Sequence, residues 1–284
     1  MSHTATPESE SRNKKIPIAL AGGESLGLLL TSLDCPAAFP GATAHRFELS
    51  SRGDRVAGRL LVPEERSGPC PLILIQGDAG TSYASASLDF AGSWVGLGFA
   101  LATLDLPLHG ERSSPKFSER LLDAIENARP RGGSLDANGR ALLLEFTDQS
   151  ICDLSRSVDG LSTLPAIDGD RIGVMGLGHG AAIVALFASL DSRTRAVVLA
   201  HCSATGLPEI DPVQFVREII GPRAVLLLES TRASDKHDAE SDAALFDACA
   251  EPKLCSSSDD EFGKLGAASA ERARAFFADQ LSAD

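Results

Sequence analysis

The chain has 284 residues, 43% of them hydrophobic and 23% charged, an ordinary globular balance with enough apolar content for one large core. A formal net charge of -13 at pH 7, with no clustered basic run, argues against nucleic acid or an anionic membrane as partner. The six cysteines, Cys35, Cys70, Cys152, Cys202, Cys249 and Cys255, lack C-x-x-C or paired-histidine spacing, which predicts no metal site, no cofactor and reduced thiols in a cytoplasmic protein.

The polar opening MSHTATPESESRNKK (1–15) is expected to be a disordered tail, and 16–284 to form a single domain. The next stretch, IPIALAGGESLGLLL, is interrupted by Glu24 and glycines. It is a poor secretory segment and too short to span a bilayer, so it reads as an amphipathic segment packed on the domain. Residues 44–63 alternate apolar and polar around Arg52-Gly53-Asp54, the pattern of an antiparallel hairpin. PLILIQGDAG (71–80) is a continuous apolar run ending in glycines, a strand buried on both faces. A helix is expected over 82–95 and a strand over 99–104, followed by the loop DLPLHGER with Asp105 and His109. Residues 113–143 are longer and more polar than a crossover needs and read as an insertion or small cap.

An amphipathic helix follows over 145–164, with Leu154, Val158 and Leu161 on one face. The expected elements after it are a strand over 171–175, a helix over 181–190, a strand over 196–200, a strand over 224–228, a helix over 238–250, a weak strand over 253–256 and a closing helix over 267–281. Strands alternating with helices imply an α/β fold, a mainly parallel central sheet with an antiparallel N-terminal hairpin and helices on both faces. Ligands of such sheets bind at the carboxyl ends of the strands.

Between strand and helix stands VMGLGHGA (174–181), with glycine at every second position. Together with LLVP, LILIQGDAG, ATLDLPLHGER, the block 153–200 and the terminal ERARAFFADQL, it resembles the α/β-hydrolase family, in its dienelactone hydrolase and acetyl esterase branch, over about residues 43–282. That resemblance implies an α/β-hydrolase fold, a nucleophilic serine at a strand-to-helix elbow, an acid after the strand at 224–228 and a histidine after the last strand. It puts Gly178 at the nucleophile position and Asp235 at the acid, while the histidine due between 256 and 265 is absent, His237 being the last of the chain. Oxyanion donors would come from His179 and from the loop Gln76, Gly77, Asp78 and Ala79, with Gln76 where the family commonly has histidine.

A physical reason exists for glycine at the tip. The elbow needs positive φ, which costs about 1–3 kcal/mol for a residue with a β-carbon. Two functional readings follow. In one, the protein lacks the serine nucleophile and the C-terminal histidine, has no ordinary esterase activity, and binds a small-molecule ligand or protein partner. In the other, it is an enzyme of non-serine chemistry, a lyase, isomerase or hydrolase, using His179, His109 or Cys202, with His109, His201, Cys202 and Ser203 around the pocket rim. Neither reading fixes an oligomeric state.

Overall fold

In the computed structural model, which describes residues 26–129, 133–202, 205–218, 223–232 and 239–282, nine strands form one sheet in the order β1-β2-β3-β5-β4-β6-β7-β8-β9. The strands are β1 Leu29–Leu33, β2 Ala42–Ser51, β3 Asp54–Pro63, β4 Cys70–Gln76, β5 Ala100–Leu104, β6 Ile167–Leu177, β7 Thr194–Ala200, β8 Ala224–Ser230 and β9 Lys253–Ser258. The helices are α1 Gly92–Val95, α2 Pro115–Asn127, α3 Ala137–Leu161, α4 His179–Leu190, α5 Pro212–Phe215, α6 Ala239–Ala248 and α7 Ala267–Gln280. β1, β2 and β3 pair antiparallel, β3 meets β5 antiparallel, and every pairing from β5 to β9 is parallel.

The continuous apolar runs become strands buried on both faces because successive side chains point to opposite sides. Leu72, Leu74, Val174, Val197 and Val225 pack into one buried cluster with Leu154, Val158 and the apolar face of α4. Their chain neighbours Ile73, Ile75, Met175, Val198 and Leu226 pack into the other, with Trp94 and Phe277. The chain runs from β4 outward to β5 and then returns to the other side of β4 as β6. This reversal opens a crevice beyond the carboxyl ends of β4 and β6, where an open α/β sheet places its ligands.

Three expected elements are corrected. The helix over 82–95 starts only at Ala86, and its first part, Ala86–Ala91, is a 3₁₀ helix that runs into the single α turn of α1. Its leading serines favour turns, and Asp105 Oδ1 captures the Tyr83 N–H at 2.8 Å. The helix expected over 145–164 begins at Ala137, where Asp136 caps it by accepting from Gly139 N–H at 2.6 Å. Residues 113–143, expected as an insertion or small cap, hold α2, a connection and the first turns of α3.

The third correction concerns the segment before the hairpin. Its described end forms β1, an exposed edge strand antiparallel to β2. The edge of β2 offers backbone groups that the short LLTSL run pairs with. Residues 1–25 lie outside the described part. Among the described residues no helix is long and apolar enough to cross a membrane.

Candidate functional site

β4 and β6 run parallel with Gln76 opposite Gly176, so the loops that follow them emerge side by side. At the tip of the second loop Gly178 has φ 58° and ψ -123°, a backbone conformation that L side chains rarely adopt. Its N–H is still held by the Ala200 carbonyl at 2.9 Å, and α4 starts at the next residue. A strand-turn-helix of elbow geometry is therefore present, with a residue at its tip that has no side chain.

The space that a side chain at residue 178 would occupy is taken. A β-carbon on Gly178 would collide with the carboxylate of Asp78, which reaches over from the β4 loop. Asp78 Oδ1 accepts the His179 N–H at 2.7 Å and the Ala79 N–H at 2.8 Å. These are the residue after the elbow tip and the loop after β4, the two places from which oxyanion donors are drawn. Thr81 fixes the loop, its hydroxyl donating to the Asp78 carbonyl at 2.7 Å and its N–H to the same oxygen at 3.1 Å.

The loop after β9, where the resemblance places a histidine, approaches the same carboxylate. A β-carbon on Gly263, which has φ 77°, would lie 2.6 Å from Asp78 Oδ2. A histidine does reach this loop, but from the end of β7. His201 Nδ1 accepts the Gly263 N–H at 3.1 Å, and its ring lies 5.9 Å from that of Phe262. With Nδ1 accepting, a neutral ring carries its proton on Nε2, the wrong arrangement for a base at that nitrogen. His201 holds φ 52° without being glycine, a conformation that costs about 1–3 kcal/mol and tends to occur at functional edges.

The remaining predicted residues fall into separate environments. His179 is buried, its Nε2 meets no hydrogen-bond partner among the described residues, and burial pushes its pKa down to about 4 against the opposing pull of Asp78. His109 is buried rather than at an open rim; its Nδ1 lies 2.8 Å from the Pro107 carbonyl, and burial lowers its pKa. Phe146 of α3 lies between these two imidazoles, 5.5 Å from His109 and 5.9 Å from His179 with both pairs of planes 29° apart. Asp105 accepts from Tyr83 N–H at 2.8 Å and Glu111 N–H at 2.7 Å, so it shapes the loop that holds His109.

Cys202 is buried against the helical core, and burial, together with Asp242, Cys249 and Asp211, holds its thiol well above the ordinary range. Such a thiol is a poor nucleophile. Gln76 is buried, its Oε1 without a hydrogen-bond partner among the described residues, and Gly77 leads into the Asp78 turn. Asp235 and Ser203 lie outside the described residues. Among the described residues no three potential metal ligands stand together.

Arg129, just beyond α2, is a further site residue: its guanidinium lies 5.7 Å from the Phe262 ring centre, and its charge helps to lower the His179 pKa. Nothing in the sequence marks Arg129, Phe146 or Phe262 as neighbours of the elbow, because they meet only through tertiary packing. Asp78, by contrast, was readable as an oxyanion-loop residue, and only the direction of its side chain was hidden.

No family model and no curated protein matches the sequence. Solved structures do resemble it. An acetyl xylan esterase from Paenibacillus sp. R4 is similar with a TM-score of 0.71 at 15% identity, covering 91% of this chain and 90% of that one. Acetyl xylan esterase 1 from Thermoanaerobacterium sp. JW/SL YS485 gives 0.68 at 17% identity over 91% and 89% of the two chains. A dienelactone hydrolase-like protein from Klebsiella pneumoniae subsp. pneumoniae MGH 78578 gives 0.64 at 14% identity over 84% and 98%. With its mostly parallel sheet, helices on both faces and an elbow after β6, the chain has the α/β-hydrolase fold that these esterases share.

Proposed function

We propose that this protein binds a ligand or partner on an α/β-hydrolase fold without serine-type ester hydrolysis. One observation carries the reading: Asp78 Oδ1 occupies the two N–H donors that would stabilise an acyl-transfer oxyanion, beside a glycine in place of the nucleophile. A carbonyl oxygen entering that position would have to displace a charged group hydrogen-bonded to both donors. The base is missing as well, since residues 256–265 contain no histidine and His201 uses Nδ1 as an acceptor.

The environments of the residues that a non-serine enzyme would use weigh against that alternative. The Cys202 thiol is buried with its pKa raised, and neither buried imidazole contacts it among the described interactions. Binding has a place in a groove of about 380 Å³ lined by Leu108, Phe117, Leu142 and Phe146 together with Arg55 and Glu145. That volume lies in the range of small-molecule sites.

The test is hydrolysis of p-nitrophenyl acetate by the purified protein. The expected rate equals that of buffer. Saturable turnover that disappears in Asp78→Asn would overturn the reading and make Asp78 a participant in catalysis.

A further inference from the structure

Arg59 lies in the middle of the sheet, on β3, between two ladder partners, Arg46 of β2 and Thr103 of β5. Residues paired in this way share a face, so Arg59 has a second cation on one side and a hydroxyl on the other. Arg46 is engaged by Glu48 and Glu111. Arg59 is not engaged by any acid. Its side chain is only 7% exposed, its Nε is buried without a hydrogen-bond partner, and among the described residues its guanidinium forms no ion pair. The charge of Asp89 reaches it only at longer range. The ring of Phe39 packs on it, with the ring centre 5.3 Å from Cζ.

A buried charge is ordinarily paired, because the solvation that it gives up is large. Arg59 instead borders a cavity under the 3₁₀ turn Ala86–Ala91, whose walls include Phe39, Leu61, Ile75, Leu101 and Thr103. Apart from Arg59 and Thr103, every residue lining it is apolar. Its volume is about 10 Å³, close to the room that a single water-sized body needs.

We propose that this cavity is a halide site, in which chloride compensates the Arg59 guanidinium and accepts a hydrogen bond from the Thr103 hydroxyl. A monoatomic anion suits both the size and the donors. Carboxylates, phosphate and sulfate carry further oxygens that the apolar walls could not satisfy, and a water would leave the charge uncompensated. The cavity shares no residue with the elbow or with the Asp78 loop, so the proposal goes beyond the reading above and is independent of whether esters are turned over.

The experiment follows the melting temperature of the purified protein as sodium chloride or sodium bromide replaces sodium gluconate at constant ionic strength, gluconate being too bulky for the cavity. Wild type is expected to respond saturably to either halide, melting about 2–4 °C higher at ten times the half-saturating concentration. Arg59→Met, which keeps the length of the side chain and removes its charge, is expected to show no saturable response. The proposal is overturned by a wild type that does not respond saturably, or by a response that Arg59→Met reproduces. Should Arg59→Met fail to fold, wild-type crystals grown in sodium bromide decide the matter. An anomalous-scattering peak beside the guanidinium is expected, and a water in its place overturns the proposal.

Discussion

At residue 178 two effects add. A serine there would take φ 58° and ψ -123° with a β-carbon, costing about 1–3 kcal/mol, and would also collide with the Asp78 carboxylate. Gly178→Ser should therefore lower stability by about 1–3 kcal/mol or more in chemical denaturation and should not gain esterase activity. His179 makes a second residue-level prediction. Its folded pKa of about 4 lies below the ordinary 6.5, so the unfolded chain binds the extra proton first. The stability that this contributes is complete above pH 6.5 and is lost as pH falls from there toward 4. Replacement by glutamine should flatten that slope in denaturation midpoints measured at neutral and acid pH. An unchanged slope would mean that His109, whose pKa is lowered in the same direction, or another group carries the acid sensitivity. Cys202 gives a third: iodoacetamide should leave it unmodified in the native protein and modify it after unfolding, read by peptide mass spectrometry.

Among elements, α3 does more than cover the sheet. Phe146 separates His109 from His179, and the same residue walls the groove beside Leu108 and Phe117. Phe146→Ala should cost about 3–5 kcal/mol, as the loss of a buried aromatic ring does, and should change the fluorescence response of any groove ligand that the wild type binds. A loss below about 1 kcal/mol would show the stack to be replaceable by water or by neighbouring side chains.

The elements differ in how far the sequence announced them. β4, β7 and β8 are built around continuous apolar runs and were readable to within a few residues, because a strand buried on both faces leaves that composition, whereas β6 starts at Ile167, four residues before the expected strand, through the polar stretch 168–171. α3 was read too short because its first turns are polar and its start is set by one capping carboxylate, Asp136. β1 escaped because pairing with an open edge depends on β2 more than on its own residues.

Across the whole molecule, the fold was legible and the state of the site only half so. Gly178 and the missing histidine stood in the sequence, since a glycine or an absent residue needs no geometry to be noticed. That Asp78 turns back onto the two N–H donors, that His201 enters the β9 loop from β7, and that Arg129 of the segment after α2 faces Phe262 are consequences of packing among parts distant in the chain. Shared architecture with acetyl xylan esterases likewise fixes where a site lies and leaves its chemistry to the side chains present.

The proposed loss of ester hydrolysis rests on three separate points: a glycine at 178, no histidine in 256–265, and Asp78 on the two N–H donors. The most direct test repairs two of the three at once, in the variant that combines Gly178→Ser with Asp78→Gly, and follows p-nitrophenyl acetate hydrolysis. The account predicts at most the residual about 10³–10⁴-fold over water that oxyanion donors and binding supply without a triad, because the base is still lacking. An acceleration well beyond about 10⁴-fold would contradict it and identify a working general base in the site.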